Sequence, residues 1–231
     1  MKKFFIIFCV IILLSFFFFF FLIIRDAISL NDLNKEVEVL NKLDFKKDNF
    51  NRPIKSRGGY VLVEKSIKKY LDSCSSDVKN IMSITDDKEL INILSYDNYS
   101  NDGKEFKKSI DYINKSKTKY NKIVDKLLLK LDKDYIYNYI TDKTNEDHYI
   151  EVYRDIMING NISIKLDNLK ESIIKNKEYM NGIFDSSLDV LNYLKDHSDD
   201  WELEDGEIKF RTQDLYNNYE KLISKVKKKD E

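Results

Sequence analysis

Two histidines, one cysteine outside an N-terminal apolar run and several dense acidic stretches are the residues through which this chain could do chemistry. His148 follows Glu146 and Asp147, with Glu151 one turn further on. That donor set could meet a divalent cation if neighbouring helices contributed. It contains no His-Glu-x-x-His pair, however, and no Cys–His cluster of zinc-like spacing. It reads instead as the polar start of a helix. His197 opens the most acidic stretch, Asp196 to Glu207, which holds Asp199, Asp200, Glu202, Glu204 and Asp205 and no Lys or Arg. Hard oxygen donors at this density suit a divalent cation or a basic partner. Their spacing departs from the calcium-loop pattern, and strand alternation points several of them outward, so a solvated hairpin surface is expected. Asn98-x-Ser100-x-Asp102-Gly103 matches part of a calcium loop, but Ser109 stands where that loop requires a bidentate Glu.

Cys74 falls on an apolar helical stripe, where a thiol is a small buried hydrophobe. Ser73, Ser75 and Ser76 flank it without a nearby base, and neither a phosphate-cradling glycine loop nor a G-x-S-x-G turn is present. The tyrosines at helical spacing fit the edge of a core, ring buried and hydroxyl wet, better than a sugar- or peptide-stacking surface. The residues therefore nominate no catalytic, metal or cofactor site, and a non-enzymatic protein is expected.

The segment that must place all these groups is Phe4–Ile24, twenty-one residues that are apolar except for Cys9 and Ser15. As a helix it reaches about 32 Å, enough to cross a hydrocarbon core of about 30 Å. It is too long for the apolar region of a cleaved signal and ends in Ile23-Ile24-Arg25-Asp26-Ala27 without an A-x-A-like site. Residues 1–24 are thus expected to form an uncleaved transmembrane signal anchor. Lys2 and Lys3 on one flank lean toward a cytoplasmic amino terminus and an extracytoplasmic domain. The six consecutive phenylalanines Phe16–Phe21 supply bulk hydrophobicity, and the small-residue GxxxG interface is absent.

The rest of the chain is patterned for helices. Residues 25–59 read as a membrane-proximal helix, with a start signal near Ser29 and Asp32 and continuing from or abutting the anchor, followed by a basic loop. That loop carries Lys46, Lys47, Arg52, Lys55 and Arg57 against Asp48. It is expected as a solvated connection, with anionic headgroups or acidic wall polymers as its functional counterpart. Residues 60–231 read as one helical domain. Tyr60, Val63, Ile67, Cys74, Val78 and Ile81 form a stripe ending near Thr85. A short helix is expected at 88–95, an interruption at 97–103, and a long helix from Phe106 to Leu131 whose seam only Lys117 interrupts. Two shorter helices follow, centred on Tyr139 and Tyr153. The longest pattern runs from Ser163 to His197. Trp201-Glu202-Leu203 and Ile208-Lys209-Phe210 flank Asp205-Gly206, the strongest short-range hairpin signal, so a hairpin is predicted at about 200–211. Thr212 then caps a last helix ending in the basic run Lys225 to Lys229. One proline and six glycines among 231 residues exclude a many-turned β fold. The predicted class is all-α: an N-terminal transmembrane helix plus an antiparallel multi-helix bundle with one small hairpin. A formal net charge of −1 and the absence of a basic reading module exclude a nucleic-acid partner.

The stretch Leu191-Asn192-Tyr193-Leu194-Lys195-Asp196-His197, the segment Trp201–Phe210 and the final helix together resemble uncharacterised bacterial cell-envelope helical-bundle lipoproteins of unassigned function. The resemblance implies a helical bundle at the cell envelope and supplies no active-site residue. Those proteins carry a lipobox cysteine. Here Cys9 lies mid-run behind Ile7 and Phe8, so a lipid anchor is not expected. The expected partners are the membrane, crossed once, and an envelope protein or wall polymer. The alternative expectation is a ligand- or ion-sensing domain acting through a partner membrane protein.

Overall fold

A computed structural model describes residues 2–227, with side-chain environments from residue 12 to residue 226. Among the described residues the chain is all-α apart from one hairpin. Its order is α1 (Lys2–Lys42), α2 (Tyr60–Thr85), α3 (Lys88–Ile91), α4 (Tyr96–Asp102), α5 (Lys107–Lys130), α6 (Lys133–Thr141), α7 (Asp147–Met157), α8 (Asn161–Asp196), β1 (Trp201–Glu204), β2 (Glu207–Phe210) and α9 (Gln213–Lys227). The basic run from Lys225 extends beyond the described residues. Two compact units share the chain. One takes the residues up to Ser75 together with Asp132–Leu166; the other takes Ser76–Leu131 together with the chain from Asp167 onward.

In the first unit, α1 leaves its apolar run without a break and becomes amphipathic, with Leu33 and Leu40 fully buried. Ser29 therefore does not start a helix. Nothing between Ile24 and Ser29 interrupts helix propagation, and the serine hydroxyl is spent elsewhere: it accepts from Arg57 N–H at 2.7 Å and donates to Arg57 C=O at 2.6 Å. Paired contacts advance in step along α1 and α2. Asp26 meets Tyr60, Glu36 meets Lys68, and the carbonyl of Phe45, just past α1, accepts from Ser75. The two helices thus run parallel, and residues 43–59 carry the chain back.

That return is not a bare solvated loop. Glu64, fully buried on α2, accepts from Lys55 N–H at 2.9 Å and Ser56 N–H at 2.7 Å. It also receives the Lys68 ammonium at 2.5 Å, and the same ammonium reaches Glu36 at 3.0 Å and the Pro53 carbonyl at 2.7 Å. Arg52 closes the cluster on Glu36 at 3.0 Å. Two acids and two bases balance, and the loop backbone satisfies the remaining lone pairs, which is the condition for tolerating buried charge.

Lys165 on α8 performs a second long-range closure. The last carbonyls of a helix lack intrahelical partners. Lys165 donates to three at the end of α1, those of Leu40, Asn41 (2.9 Å) and Leu43, while its ammonium stands 5.2 Å from the Phe45 ring centroid. Lys165→Met keeps the stem and removes all three bonds. A loss of about 1.5–3 kcal/mol is expected, the range for hydrogen bonds to a charged group. Chemical denaturation of the detergent-solubilised protein, followed by far-UV circular dichroism, measures it; an unchanged midpoint would show that the capping carries no weight.

In the second unit, α5 and α8 pair antiparallel, because contacts step four residues forward on one and four back on the other. Lys117 meets Asp185 at 2.5 Å, the Asn121 and Asn181 amides pair reciprocally at 2.8 and 2.9 Å, and Lys177 meets Asp125 at 2.6 Å. Lys117 thus ends on a carboxylate across the seam. Asp77 on α2 is buried with Lys130 at 2.5 Å and Lys126 at 3.3 Å.

The segment expected as an interruption at 97–103 is helical. Ser95 caps α4 by accepting from Asn98 N–H at 3.2 Å, and the Asn98 amide donates to Ile93 C=O (2.7 Å) and Ser109 Oγ (2.9 Å). Tyr99, buried against Phe106, holds the short helix in place. Gly103 ends it with φ +75°, and Asp102 accepts from the Ser109 N–H and hydroxyl at the start of α5. The partial calcium-loop pattern is thus a helix-to-helix corner. The hairpin forms where it is expected, with Trp201 opposite Phe210 and Glu204 opposite Glu207. Both turn residues adopt positive φ, Asp205 at 51° and Gly206 at 83°, as a two-residue turn of the primed type requires.

Candidate functional site at the end of the apolar run

Within the first unit, a cavity of about 610 Å³ opens beside the point where α1 leaves its apolar run. Leu22 and Ile23 form the apolar edge, and Arg25, Asp26, Arg57 and Tyr149 supply the polar and aromatic lining. Tyr60 and His148 complete it. The elements bring these residues from three distant segments. Asp26 lies on α1, Tyr60 begins α2 and His148 sits in the first turn of α7.

Tyr60 is the centre. Its ring is 1% exposed, and its hydroxyl stands 3.1 Å from Asp26 Oδ2 and 3.0 Å from His148 Nε2. A phenol has one proton to give. With that proton donated to the Asp26 carboxylate, the phenol oxygen accepts from His148, which assigns the Nε2–H tautomer to the imidazole. Burial, reinforced by the hydrogen bond to Asp26, pushes the Tyr60 hydroxyl up to about 12. It therefore stays protonated across the physiological range.

The two glycines ahead of Tyr60 each answer a separate need. Gly58 has φ +57°, a left-handed conformation that costs other residues energy. A Cβ on Gly59 would lie 1.9 Å from Cζ of Tyr149, so only glycine admits that ring, which also meets Tyr60 edge-on at 5.4 Å. Ser29 grips the Arg57 backbone from both sides, so the exposed guanidinium projects from a fixed point. Neither Arg25 nor Arg57 forms an ion pair among the described residues.

The order carboxylate–phenol–imidazole differs from the nucleophilic arrangement, in which the imidazole sits in the middle and takes the proton. A phenol held near 12 supplies no phenolate to act as a general base at neutral pH. The chain of hydrogen bonds instead fastens α1, α2 and α7 around the cavity mouth. The arrangement offers a binding opening: Arg25, Arg57, a fixed Tyr60 and an apolar edge line one cavity.

The residues singled out by type fall elsewhere or take other roles. Glu146 is the N-cap residue of α7 without a side-chain capping bond, and His148 turns to Tyr60. His197 contacts Asp200 at 3.5 Å and the Tyr193 ring at 4.6 Å. Glu202, Glu204, Asp205 and Glu207 are exposed on the hairpin. Cys74 is fully buried, beneath Tyr70, Tyr139 and Tyr153. Among the described residues, no group of three or more His, Cys, Asp or Glu is arranged to hold a metal ion. In the second unit, another cavity of about 610 Å³ is lined by Leu90, Ile91, Leu94, Met180, Ile183 and Tyr219, among others, with Thr85, Ser187 and Glu220 among its polar residues and no Arg, Lys or His. No protein-family model matches the chain, and neither the curated proteins nor the solved structures gave a match.

Proposed function

We propose that this chain is a single-span membrane protein holding a non-enzymatic helical binding or spacing module at the extracytoplasmic face of a bacterial cell envelope. One observation carries the reading. Phe16–Phe21 stand 57–73% exposed on α1, whereas the later turns of the same helix bury Leu33 and Leu40 completely. α1 is long and apolar enough to cross a membrane. A bilayer is the solvent that removes the cost of an uncovered phenylalanine run, and it does so without asking any other segment to pack there. The basic flank before the run supports the extracytoplasmic orientation. The cavity at the foot of α1 supports the second reading, a sensing domain that passes ligand occupancy to a membrane partner.

Alkaline carbonate washing of membranes and protease treatment of intact cells test the proposal together. The protein is expected to stay with the carbonate-washed membranes and to lose the segment after Ile24 to external protease. Release by carbonate, or protection from protease, would overturn it.

A further inference from the structure

We propose that the cavity beside Arg25 and Arg57 binds the headgroup of an anionic phospholipid, specifically a phosphodiester that also carries a hydroxyl. The inference rests on α1 spanning the membrane, and it names the ligand of the site at its foot.

Height is the first argument. Arg25 follows the apolar run directly, and Ala27 lies only about 4.5 Å beyond Ile24 along the helix axis at 1.5 Å per residue. The cavity therefore opens at the depth of lipid phosphates. Its Leu22 and Ile23 edge faces the side from which acyl chains arrive.

Charge is the second. The lining includes two arginines and one aspartate, a formal charge of +1 from Arg25, Arg57 and Asp26. Guanidinium forks match phosphate oxygens geometrically and are less strongly hydrated than ammonium groups. Arg57 is held in advance through its backbone by Ser29, which lowers the ordering cost of binding.

The carboxylate is the third, and it selects the headgroup. Asp26 Oδ2 is occupied by Tyr60, while Oδ1 has no hydrogen-bond partner among the described residues. A free carboxylate oxygen beside a phosphate site repels a bare dianion but accepts from a headgroup hydroxyl. Phosphatidylglycerol has both features, one negative phosphodiester and two hydroxyls. Phosphatidylcholine places a quaternary ammonium beside the arginines and offers no hydroxyl.

The test uses the full chain in an uncharged maltoside micelle, titrated calorimetrically with three probes: dihexanoyl phosphatidylglycerol, dihexanoyl phosphatidylcholine and inorganic phosphate. Saturable binding of phosphatidylglycerol is expected, at least tenfold tighter than either other probe. Arg25→Gln and Arg57→Gln, both at exposed positions, are each expected to weaken it at least tenfold without changing the thermal midpoint of the free protein. Equal binding of the two lipids would overturn the proposal, as would either variant binding like the parent. Inorganic phosphate binding as tightly as phosphatidylglycerol would overturn the lipid source in favour of free phosphate. Carbonate extraction separates the two levels: a released protein that still binds phosphatidylglycerol refutes the span, and a retained protein that does not refutes the site.

Discussion

Lys68→Met is expected to destabilise the first unit by about 3–5 kcal/mol, the cost of removing one partner from a buried charge pair. The Lys68 side chain is 3% exposed, and the carboxylates it joins, Glu64 and Glu36, are 0% and 5% exposed. Methionine replaces the stem and fills most of the volume, so packing changes little. What is lost is the cation between two acids, both of which remain out of water. Glu36 keeps Arg52, and Glu64 keeps the amides of Lys55 and Ser56. Those amides are also the local readout. Hydrogen exchange at Lys55 and Ser56 should be slow in the parent and accelerate in Lys68→Met well beyond the change at α5, because the loop backbone is tied down by the carboxylate that the lysine neutralises.

The pH dependence gives a signature that a packing defect would not. Burial alone would raise the Glu64 carboxyl, but hydrogen bonds from Lys68, Ser56 and Lys55 outweigh it and hold the group below its ordinary 4.5. A depressed carboxyl stabilises the folded state above its unfolded value, and that contribution is lost as pH falls through the folded value. The parent should therefore weaken below about pH 4.5, the ordinary value of the group. With the lysine gone, burial and the neighbouring Glu36 push the carboxyl up, the folded state binds the extra proton, and mild acid should recover stability in Lys68→Met. A variant that costs under about 1 kcal/mol, or that follows the parental pH profile, would refute the buried network.

The same cluster shows where reading the chain stops. Tyr60, Val63 and Ile67 were legible as a buried stripe because helical periodicity reports one helix against an unspecified partner. Glu64 and Lys68 sit four apart, the spacing of an ordinary solvated pair, and nothing local marks them as buried. Their burial is decided by α1, where Glu36 lies 28 positions before Glu64 and 32 before Lys68. Asp26, Tyr60 and His148 fail to announce themselves for the same reason: Tyr60 reads as core and His148 as a polar helix start, and each reading is correct for its own helix. The one local signal was Gly58-Gly59, whose second glycine is explained only by the Tyr149 ring lying against it. The hairpin was legible because Asp205-Gly206 settles the turn geometry by itself. The helix Tyr96–Asp102 was not. Asn, Asp and Ser favour local side-chain bonds that usually end helices, and here those bonds run to Ile93 and Ser109 and support one. The membrane-length run is a matter of composition and length, so it needed no tertiary information.

Trp201→Ala is expected to cost about 3–5 kcal/mol in the second unit, the range for deleting a large buried aromatic. Trp201 is 1% exposed and joins several structures at once. Its ring stacks on Phe106 at 5.9 Å and 20° between planes, and Phe106 in turn meets Tyr99 edge-on at 5.4 Å. Its indole N–H donates to Leu194 C=O at 2.6 Å, one of the last-turn carbonyls of α8 that no helix amide can reach. Lys104 stands 5.0 Å over the ring and donates to the carbonyls of Trp201 (2.8 Å) and Ser198. Alanine leaves a cavity between these elements and an unsatisfied carbonyl. Trp201→Phe separates the two losses. It retains most of the apolar area and the stack, loses the N–H, and should cost about 1–2 kcal/mol. Because the chain has a single tryptophan, parental fluorescence reports this site alone, and the emission should be blue-shifted and shielded from iodide until the unit unfolds. Circular dichroism melts rank the two variants, and amide exchange locates the loss, which should concentrate in the hairpin and the last turn of α8. If Trp201→Ala proves no more costly than Trp201→Phe, then the ring is not the wedge that fixes the hairpin, and the antiparallel pairing of Trp201 with Phe210 must stand on its backbone bonds alone.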